Sequence, residues 1–259
     1  MATRLNQRYL LIIIILLVCI FVLLLLSRSK LPGLTPDNVV IVTSMPDFAS
    51  YQHITEKKKA FFEFLYPIVT LENNHILEIR QQLLSLREPQ NELSNSEHDW
   101  LLMLAHAYRV NDTSVTSQLI ESLLTRIDII PVSLILSQAA IESGWGSSRF
   151  AKQGNNLFGQ WCFKKDCGMV PQNRAADMQH EVAIFDSVND AVRAYMKNLN
   201  SFPAYKSFRQ IRLKERAKQS KLQVGKLLAG LEHYSEQGQE YIIKVANLIR
   251  QNNLEQYDL

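Results

Sequence analysis

The sequence predicts an α+β protein that is mainly helical, with a small β-hairpin lobe, preceded by an N-terminal transmembrane helix. Three observations predict this class. An unbroken apolar run fills residues 10–26, and helical periodicity recurs over most of the chain after it. The stretch from Asn156 to Phe185 instead has short mixed runs separated by glycine, asparagine and charged residues. Helices around a small β lobe give an α+β fold.

The apolar run lies between Arg8 and Arg28 and contains 17 residues. As a helix it would span about 26 Å, near the thickness of a bilayer's hydrocarbon core. It is longer than the apolar part of a signal peptide, and no small-residue cleavage pattern follows it. We therefore expect residues 1–30 to form an uncleaved membrane anchor.

Positive charge is concentrated at the N-terminus. The chain has a formal net charge of +3, and residues 1–36 contain four basic residues and no acidic one. Residues 37–259 therefore carry 3 − 4 = −1. Because a nucleic-acid-binding domain usually carries its positive charge on the folded part, we expect no nucleic-acid partner.

The rest of the chain divides into two predicted regions. Three prolines between residues 31 and 50 predict a stalk, and with two predicted helices this makes an N-terminal region, 31–95. The second region, 96–259, is predicted to contain the small lobe and most of the helices. The helices predicted from periodicity and start signals cover about 54–66, 68–86, 97–109, 114–126, 131–143, 188–202, 205–216, 221–231 and 235–252.

Cys162 and Cys167 are close together in the sequence. In an exported domain they would form a disulfide bond that closes a small loop, whereas in a cytosolic domain they would stay reduced. The alternative to the disulfide is two unrelated free thiols. His180 and Glu181 begin like a zinc-protease motif, but Ile184 occupies the position of the second histidine ligand. No metal and no cofactor are expected.

Glu142 is the strongest candidate for a catalytic residue. It ends a strongly apolar predicted helix and precedes a Gly-Trp-Gly turn. The negative end of the helix dipole and burial beside Ile141 and Trp145 would both disfavour the charged carboxylate. A carboxylic acid that stays protonated near neutral pH can serve as a general acid. The alternative is an ordinary surface glutamate in a C-terminal turn.

Aromatic and amide side chains follow Glu142 closely. Indole rings stack on sugar C–H faces, and amides bind N-acetyl and hydroxyl groups. We therefore predict that Trp145, Asn156 and Trp161 bind a sugar. Taken alone, the asparagines at 155 and 156 would indicate only a turn into a strand.

These motifs together resemble a known family. The runs Gln138–Gly146 and Asn156–Gly159 are similar to those of bacterial peptidoglycan endo-β-N-acetylglucosaminidases related to flagellar and autolysin glucosaminidases. Residues 185–199 and Phe202–Tyr205 resemble the family's next strand and helix and its Asn-Pro-x-Tyr-like signature. The resemblance covers roughly residues 100–252. It implies a lysozyme-like fold for the region 96–259 and peptidoglycan as the substrate.

By this resemblance Glu142 is the general acid, and Tyr205 is an active-site tyrosine that orients or polarises the sugar. The alternative for Tyr205 is an ordinary packing residue. The family often has a second glutamate in the β lobe, and the nearest acids here are Asp177 and Glu181, neither of which aligns well. Since glycoside hydrolysis usually needs two carboxylates, the 2-acetamido group of the substrate is a candidate for the missing nucleophile.

The resemblance therefore predicts a membrane-anchored glycoside hydrolase that cleaves the β-1,4 bond after N-acetylglucosamine, anchored in the inner membrane through residues 10–26 with its catalytic domain in the periplasm. The alternatives are a lytic transglycosylase and a non-catalytic peptidoglycan-binding protein. The basic stretch 206–226 is a further candidate surface for anionic stem peptides or lipid head groups, although a solvated helix face would give the same pattern. Its basic residues are Lys206, Arg209, Arg212, Lys214, Arg216, Lys218, Lys221 and Lys226.

Overall fold

The computed structural model describes residues 9, 13, 30–37, 39–87, 92–111, 114–172, 180–218 and 221–258. Within these ranges no helix is long and apolar enough to cross a membrane. The predicted anchor, 10–26, lies outside the described residues apart from Ile13. The chain divides into two compact units, Met1–Pro32 and Gly33–Leu259, and the second contains all the elements below.

The second unit is mainly helical and has one small sheet, as the sequence predicts for an α+β protein. Short 3-10 turns at Phe48–Ser50, Pro203–Tyr205, Ala229–Leu231 and Leu254–Tyr257 connect or end its elements. The elements are α1 (Ile54–Ser85), α2 (Asn95–Ala107), α3 (Ser117–Arg126), α4 (Val132–Ser143), α5 (Arg149–Gly154), β1 (Trp161–Cys162), β2 (Gly168–Met169), β3 (Glu181–Ala183), α6 (Val188–Ser201), α7 (Lys206–Arg216), α8 (Val224–Leu228) and α9 (Gln239–Gln251).

The first helix, α1, is a single helix of 32 residues that continues through Pro67. The prediction of two helices, 54–66 and 68–86, was wrong at this point. A proline inside a helix removes a backbone hydrogen bond and costs about 3 kcal/mol. Here one apolar face is buried on both sides of the proline, by Phe61 and Leu65 before it and by Val69 and Ile76 after it. This burial outweighs the local cost.

The strands form an antiparallel three-stranded sheet in the order β1-β3-β2. Cys162 pairs with Glu181, and Gly168 pairs with Ala183. A Cβ atom at Gly168 would lie 2.1 Å from the Val182 carbonyl oxygen, so only glycine permits this approach. A disulfide bond between Cys162 and Cys167, with an S–S distance of 1.99 Å, joins β1 to the residue before β2.

Residues 33–37 and 39–51, which we call the strap, lie along the helical domain. The sequence predicted a stalk here, within a separate region 31–95. Instead His75 Nε2 lies 3.0 Å from the Gly33 carbonyl oxygen, and the Val188 amide donates to the Val42 carbonyl at 2.8 Å. Phe48 is fully buried. Most of the segment is exposed, but these contacts join it to the later helices, and residues from Gly33 onward belong to one compact unit.

Most basic residues of the stretch 206–226 form contacts within the protein. Arg212 is buried and donates to the carbonyls of Asp128 and Ile129 at 3.0 and 3.1 Å. Arg216 forms two hydrogen bonds to the Asp128 carboxylate. Burial alone would raise the pKa of Asp128, but the charges of Arg212 and Arg216 hold it below its usual value. Four further members also have intramolecular partners, namely Arg209, Lys218, Lys221 and Lys226. Arg209 and Arg212 are buried and therefore cannot form part of a binding surface.

We expect Arg212→Met to destabilise the domain by about 3–5 kcal/mol, because it leaves buried carbonyl groups without their donor and removes one of the cations near Asp128. Urea unfolding followed by far-UV circular dichroism measures this difference. Lys214→Met removes one positive charge from an exposed position of the same helix and is the matched control, expected within about 0.5 kcal/mol of the wild type. Equal stability of the two variants would contradict the structural role of Arg212.

Candidate active site

Glu142 lies in the last turn of α4, and the sharp turn after it is fixed by local geometry. Gly144 has φ 57° and Gly146 has φ 72°, in the left-handed region that favours glycine. The Gly146 amide donates to Ser143 Oγ at 2.7 Å. A Cβ atom on Gly146 would lie 2.5 Å from the Phe48 ring, so this glycine also allows the strap to approach the turn.

A directed chain of hydrogen bonds leads to the Glu142 carboxylate. The Tyr195 hydroxyl donates to Gln138 Oε1. Gln138 Nε2 donates to the Tyr241 hydroxyl oxygen at 2.9 Å, and the Tyr241 hydroxyl donates to Glu142 Oε1 at 2.7 Å. These bonds connect α4 with α6 and α9, and they hold the carboxylate in one orientation.

The pKa of Glu142 is raised above its usual value. Burial is the largest cause, because it disfavours the charged form. The hydrogen bond from Tyr241 and the charge of Lys244 act in the opposite direction but do not cancel burial. The arrangement therefore favours a protonated carboxyl, which is what a general acid requires.

Tyr205, the tyrosine predicted for the site, lies in a layer of aromatic rings that surrounds this chain. Its ring centre is 6.2 Å from that of Tyr234, which in turn stacks on Tyr241 at 5.4 Å. Burial raises the pKa of Tyr205 to about 12. The described contacts place Tyr241, and not Tyr205, in hydrogen-bond contact with Glu142. The catalytic role predicted for Tyr205 stays a prediction.

Sequence reasoning did not single out Tyr241 or Tyr234. Tyr241 is 99 residues from Glu142 along the chain. The available signal was a pair of tyrosines seven residues apart, one shortly before the last long helix and one in its first turn. This spacing is common in packing tyrosines, so it did not identify a partner.

Asn156 is buried and uses its amide to shape the loop beside Glu142. Its Nδ2 donates to the carbonyls of Gln160 and Ala183, both at 2.9 Å. Its Oδ1 accepts from the amides of Phe158 and Gln160. These four bonds use the whole hydrogen-bonding capacity of the amide. The predicted contact of Asn156 with a sugar is therefore not supported by its position, and its contribution is to hold the loop.

Gly159, in the same loop, faces the free oxygen of the carboxyl. It has φ 63°, and a Cβ atom there would lie 3.8 Å from Glu142 Oε2. Because Oε1 accepts the hydrogen bond from the Tyr241 hydroxyl, Oε2 is the oxygen that can carry the proton. The glycine keeps the space in front of that oxygen open.

The two tryptophans predicted to bind sugar have different surroundings. Trp161, at the start of β1, is 54% exposed and stacks on His180 with ring centres 3.9 Å apart. Its exposed face is suited to stacking on a sugar ring. Trp145 is half-buried against Phe61 and Phe62 of α1, so much of its ring is used in packing.

Of the tentative second acids, Asp177 lies outside the described residues. Glu181 is buried, and its two oxygens accept from the amides of Asp166 and Gly168 at 3.1 and 2.8 Å. It thus supports the loop closed by the disulfide. Its carboxylate lies near Cys162 and Cys167, but those sulfurs are bonded to each other and offer no thiolate to a metal.

Comparisons with known proteins agree with these motifs. A family model described as mannosyl-glycoprotein endo-beta-N-acetylglucosaminidase matches residues 117–254. The chain is 36% identical over 200 residues to "Protein bax" of Escherichia coli (strain K12). This alignment covers 77% of this chain and 71% of that protein. It is also similar to the catalytic domain of the autolysin Auto from Listeria monocytogenes, with 18% identity, a TM-score of 0.43, and coverage of 81% of this chain and 92% of that one.

We expect Tyr241→Phe to raise the pKa of Glu142 further, because the lost hydrogen bond favours the charged carboxylate. The measurement is a pH titration of the Glu142 carboxyl carbon by NMR in protein labelled at glutamate, assigned with Glu142→Gln. Tyr257→Phe is the control, since that ring packs on Tyr66 at 4.9 Å. An unchanged or lower pKa in Tyr241→Phe would contradict the role of this hydrogen bond.

Proposed function

The chain belongs to the glucosaminidase family, and from its site we propose that it is a peptidoglycan hydrolase that cleaves the β-1,4 glycosidic bond after N-acetylglucosamine. Glu142 is the proposed general acid. The observation that carries this proposal is the half-buried Glu142 carboxyl, with a raised pKa and one oxygen held by Tyr241.

In the proposed reaction the proton on Glu142 Oε2 moves to the glycosidic oxygen as the bond to the anomeric carbon breaks. The Tyr241 hydroxyl stays bonded to Oε1, so it orients the carboxyl and stabilises the carboxylate that forms. The open space in front of Gly159 admits the sugar, and the exposed face of Trp161 offers a stacking surface at the edge of the sheet.

Two features support the bacterial cell wall as the source of the glycan. The motifs Gln138–Gly146 and Asn156–Gly159 resemble those of cell-wall glucosaminidases. The disulfide bond between Cys162 and Cys167 fits an oxidising compartment outside the cytosol. With the apolar run 10–26, these features support an inner-membrane protein whose domain from Gly33 onward lies in the periplasm.

The second catalytic group is proposed to come from the substrate. Glu181 engages both of its oxygens with main-chain amides, which does not suit a base or nucleophile. The described groups that shift the pKa of Glu142 are Tyr241 and Lys244, and neither is a carboxylate. Attack of the 2-acetamido oxygen on the anomeric carbon would supply the nucleophile in place of a second carboxylate, as in other substrate-assisted glycosidases.

The first test compares the full-length protein with Glu142→Gln on purified peptidoglycan. We expect the wild type to release fragments with N-acetylglucosamine at the reducing end, identified by mass spectrometry after borohydride reduction. The variant should lose activity by about 10²–10⁴-fold, since it keeps the shape of the side chain but has no acidic proton.

Other products would select the alternatives. Anhydro-muramyl ends would identify a lytic transglycosylase and contradict hydrolysis. Binding to the wall by both proteins, with no fragments from either, would instead identify a non-catalytic binding protein. Thermal unfolding of both proteins serves as the control for folding.

The substrate-assisted route is tested with Asp177→Ala and Glu181→Gln. We expect Asp177→Ala to retain most of the wild-type rate, and Glu181→Gln to lose stability because one main-chain amide loses its acceptor. Rates are compared at a temperature where each variant is folded by circular dichroism. Loss of turnover by 10²-fold or more in either folded variant would contradict the substrate-assisted route.

A further inference from the structure

An open groove lies beside the candidate active site, between the start of α1, the turn after Glu142, and α9. Its walls include apolar, aromatic, amide and charged side chains. The members used below are Ile54, Lys58, Trp145, Ile243, Lys244 and Asn247. The groove lies close to the active site, because Trp145 follows Glu142 by three residues and the charge of Lys244 acts on the Glu142 carboxyl.

One wall of the groove comes from outside the region that the family model matches. Ile54 and Lys58 belong to α1, whereas the match covers residues 117–254. The wall is held in place by packing, since Phe61 and Phe62 contact the Trp145 ring edge-on at 5.9 and 5.3 Å. This chain therefore adds a surface to the site that the family domain alone does not contain.

The groove has two lysines available for an anionic ligand. Lys58 Nζ lies 5.0 Å from the centre of the Trp145 ring, and Lys244 lies on the facing helix. Neither forms a salt bridge with a described residue, and Glu240 is the acid that also lines the groove. Their neighbours are committed elsewhere, since Lys57 donates to Ser147 Oγ at 2.7 Å and Lys59 pairs with Glu63.

We propose that this groove binds the carboxylate-bearing peptide attached to the sugar next to the cleaved bond. This inference rests on the proposed function, because it assumes a peptide-substituted glycan at Glu142. Lys58 and Lys244 pair with the peptide carboxylates, the amide of Asn247 is placed to bond peptide groups, and Ile54, Ile243 and Trp145 cover aliphatic parts of the chain. An enzyme that cuts within a glycan strand must bind the substrate on both sides of the cleaved bond, and this groove provides the binding surface on one of those sides.

The test measures binding of full-length protein to two kinds of glycan strand from the same cell wall, one with peptides and one from which an amidase has removed them. All proteins carry Glu142→Gln, so that strands are bound but not cut. We expect Lys58→Gln to weaken binding to peptide-carrying strands by about three- to five-fold, the effect of one partly exposed charge pair, with a much smaller effect on bare strands. Lys58→Arg should restore the affinity.

Lys59→Gln is the matched control, because it removes the same charge from the next residue of α1, where the side chain pairs with Glu63. It should bind both kinds of strand like its parent. Equal loss on both strands in Lys58→Gln, or no loss on either, overturns the inference. The proposed function fails independently, if protein with Glu142 intact cuts neither kind of strand.

Discussion

The structure of the site depends on one directed chain of hydrogen bonds, from Tyr195 through Gln138 and Tyr241 to Glu142. Tyr241 has one hydroxyl proton and gives it to the carboxyl, so its oxygen must accept from the Gln138 amide. The Gln138 carbonyl oxygen is then left to accept from Tyr195. Each bond fixes the direction of the next, and together they hold three helices that are distant in sequence around one carboxyl group.

The buried carboxyl of Asp128 and the half-buried carboxyl of Glu142 have opposite electrostatic surroundings. Asp128 is surrounded by arginines, including Arg212 and Arg216, and its pKa is lowered despite its burial. Glu142 is surrounded mainly by neutral tyrosines, and burial raises its pKa. A cation compensates the lost hydration of a charged carboxylate, whereas a single tyrosine hydroxyl does so only in part. Asp128 thus serves as a charged structural centre, and Glu142 is suited to hold and release a proton.

The N-terminal segment contributes directly to the shape of the site. Phe48 of the strap packs against Gly146, and α1 packs against Trp145, so both support the turn that follows Glu142. The segment lies before the region matched by the family model. It lies in the same compact unit as the candidate active site, and it provides one wall of the neighbouring groove.

The sequence by itself determined the features that arise between near neighbours in the chain. The helix predicted to start at residue 188 begins there and is capped, since Ser187 Oγ accepts from the Asp190 amide at 3.0 Å, and Glu142 lies in the last turn of its helix as expected. Only the tertiary structure decided that Tyr241 contacts Glu142, that Asn156 turns inward and that α1 continues through Pro67. Caps and periodicity depend on residues a few positions apart. Which side chains meet depends on how distant helices pack, and burial there can outweigh a local preference.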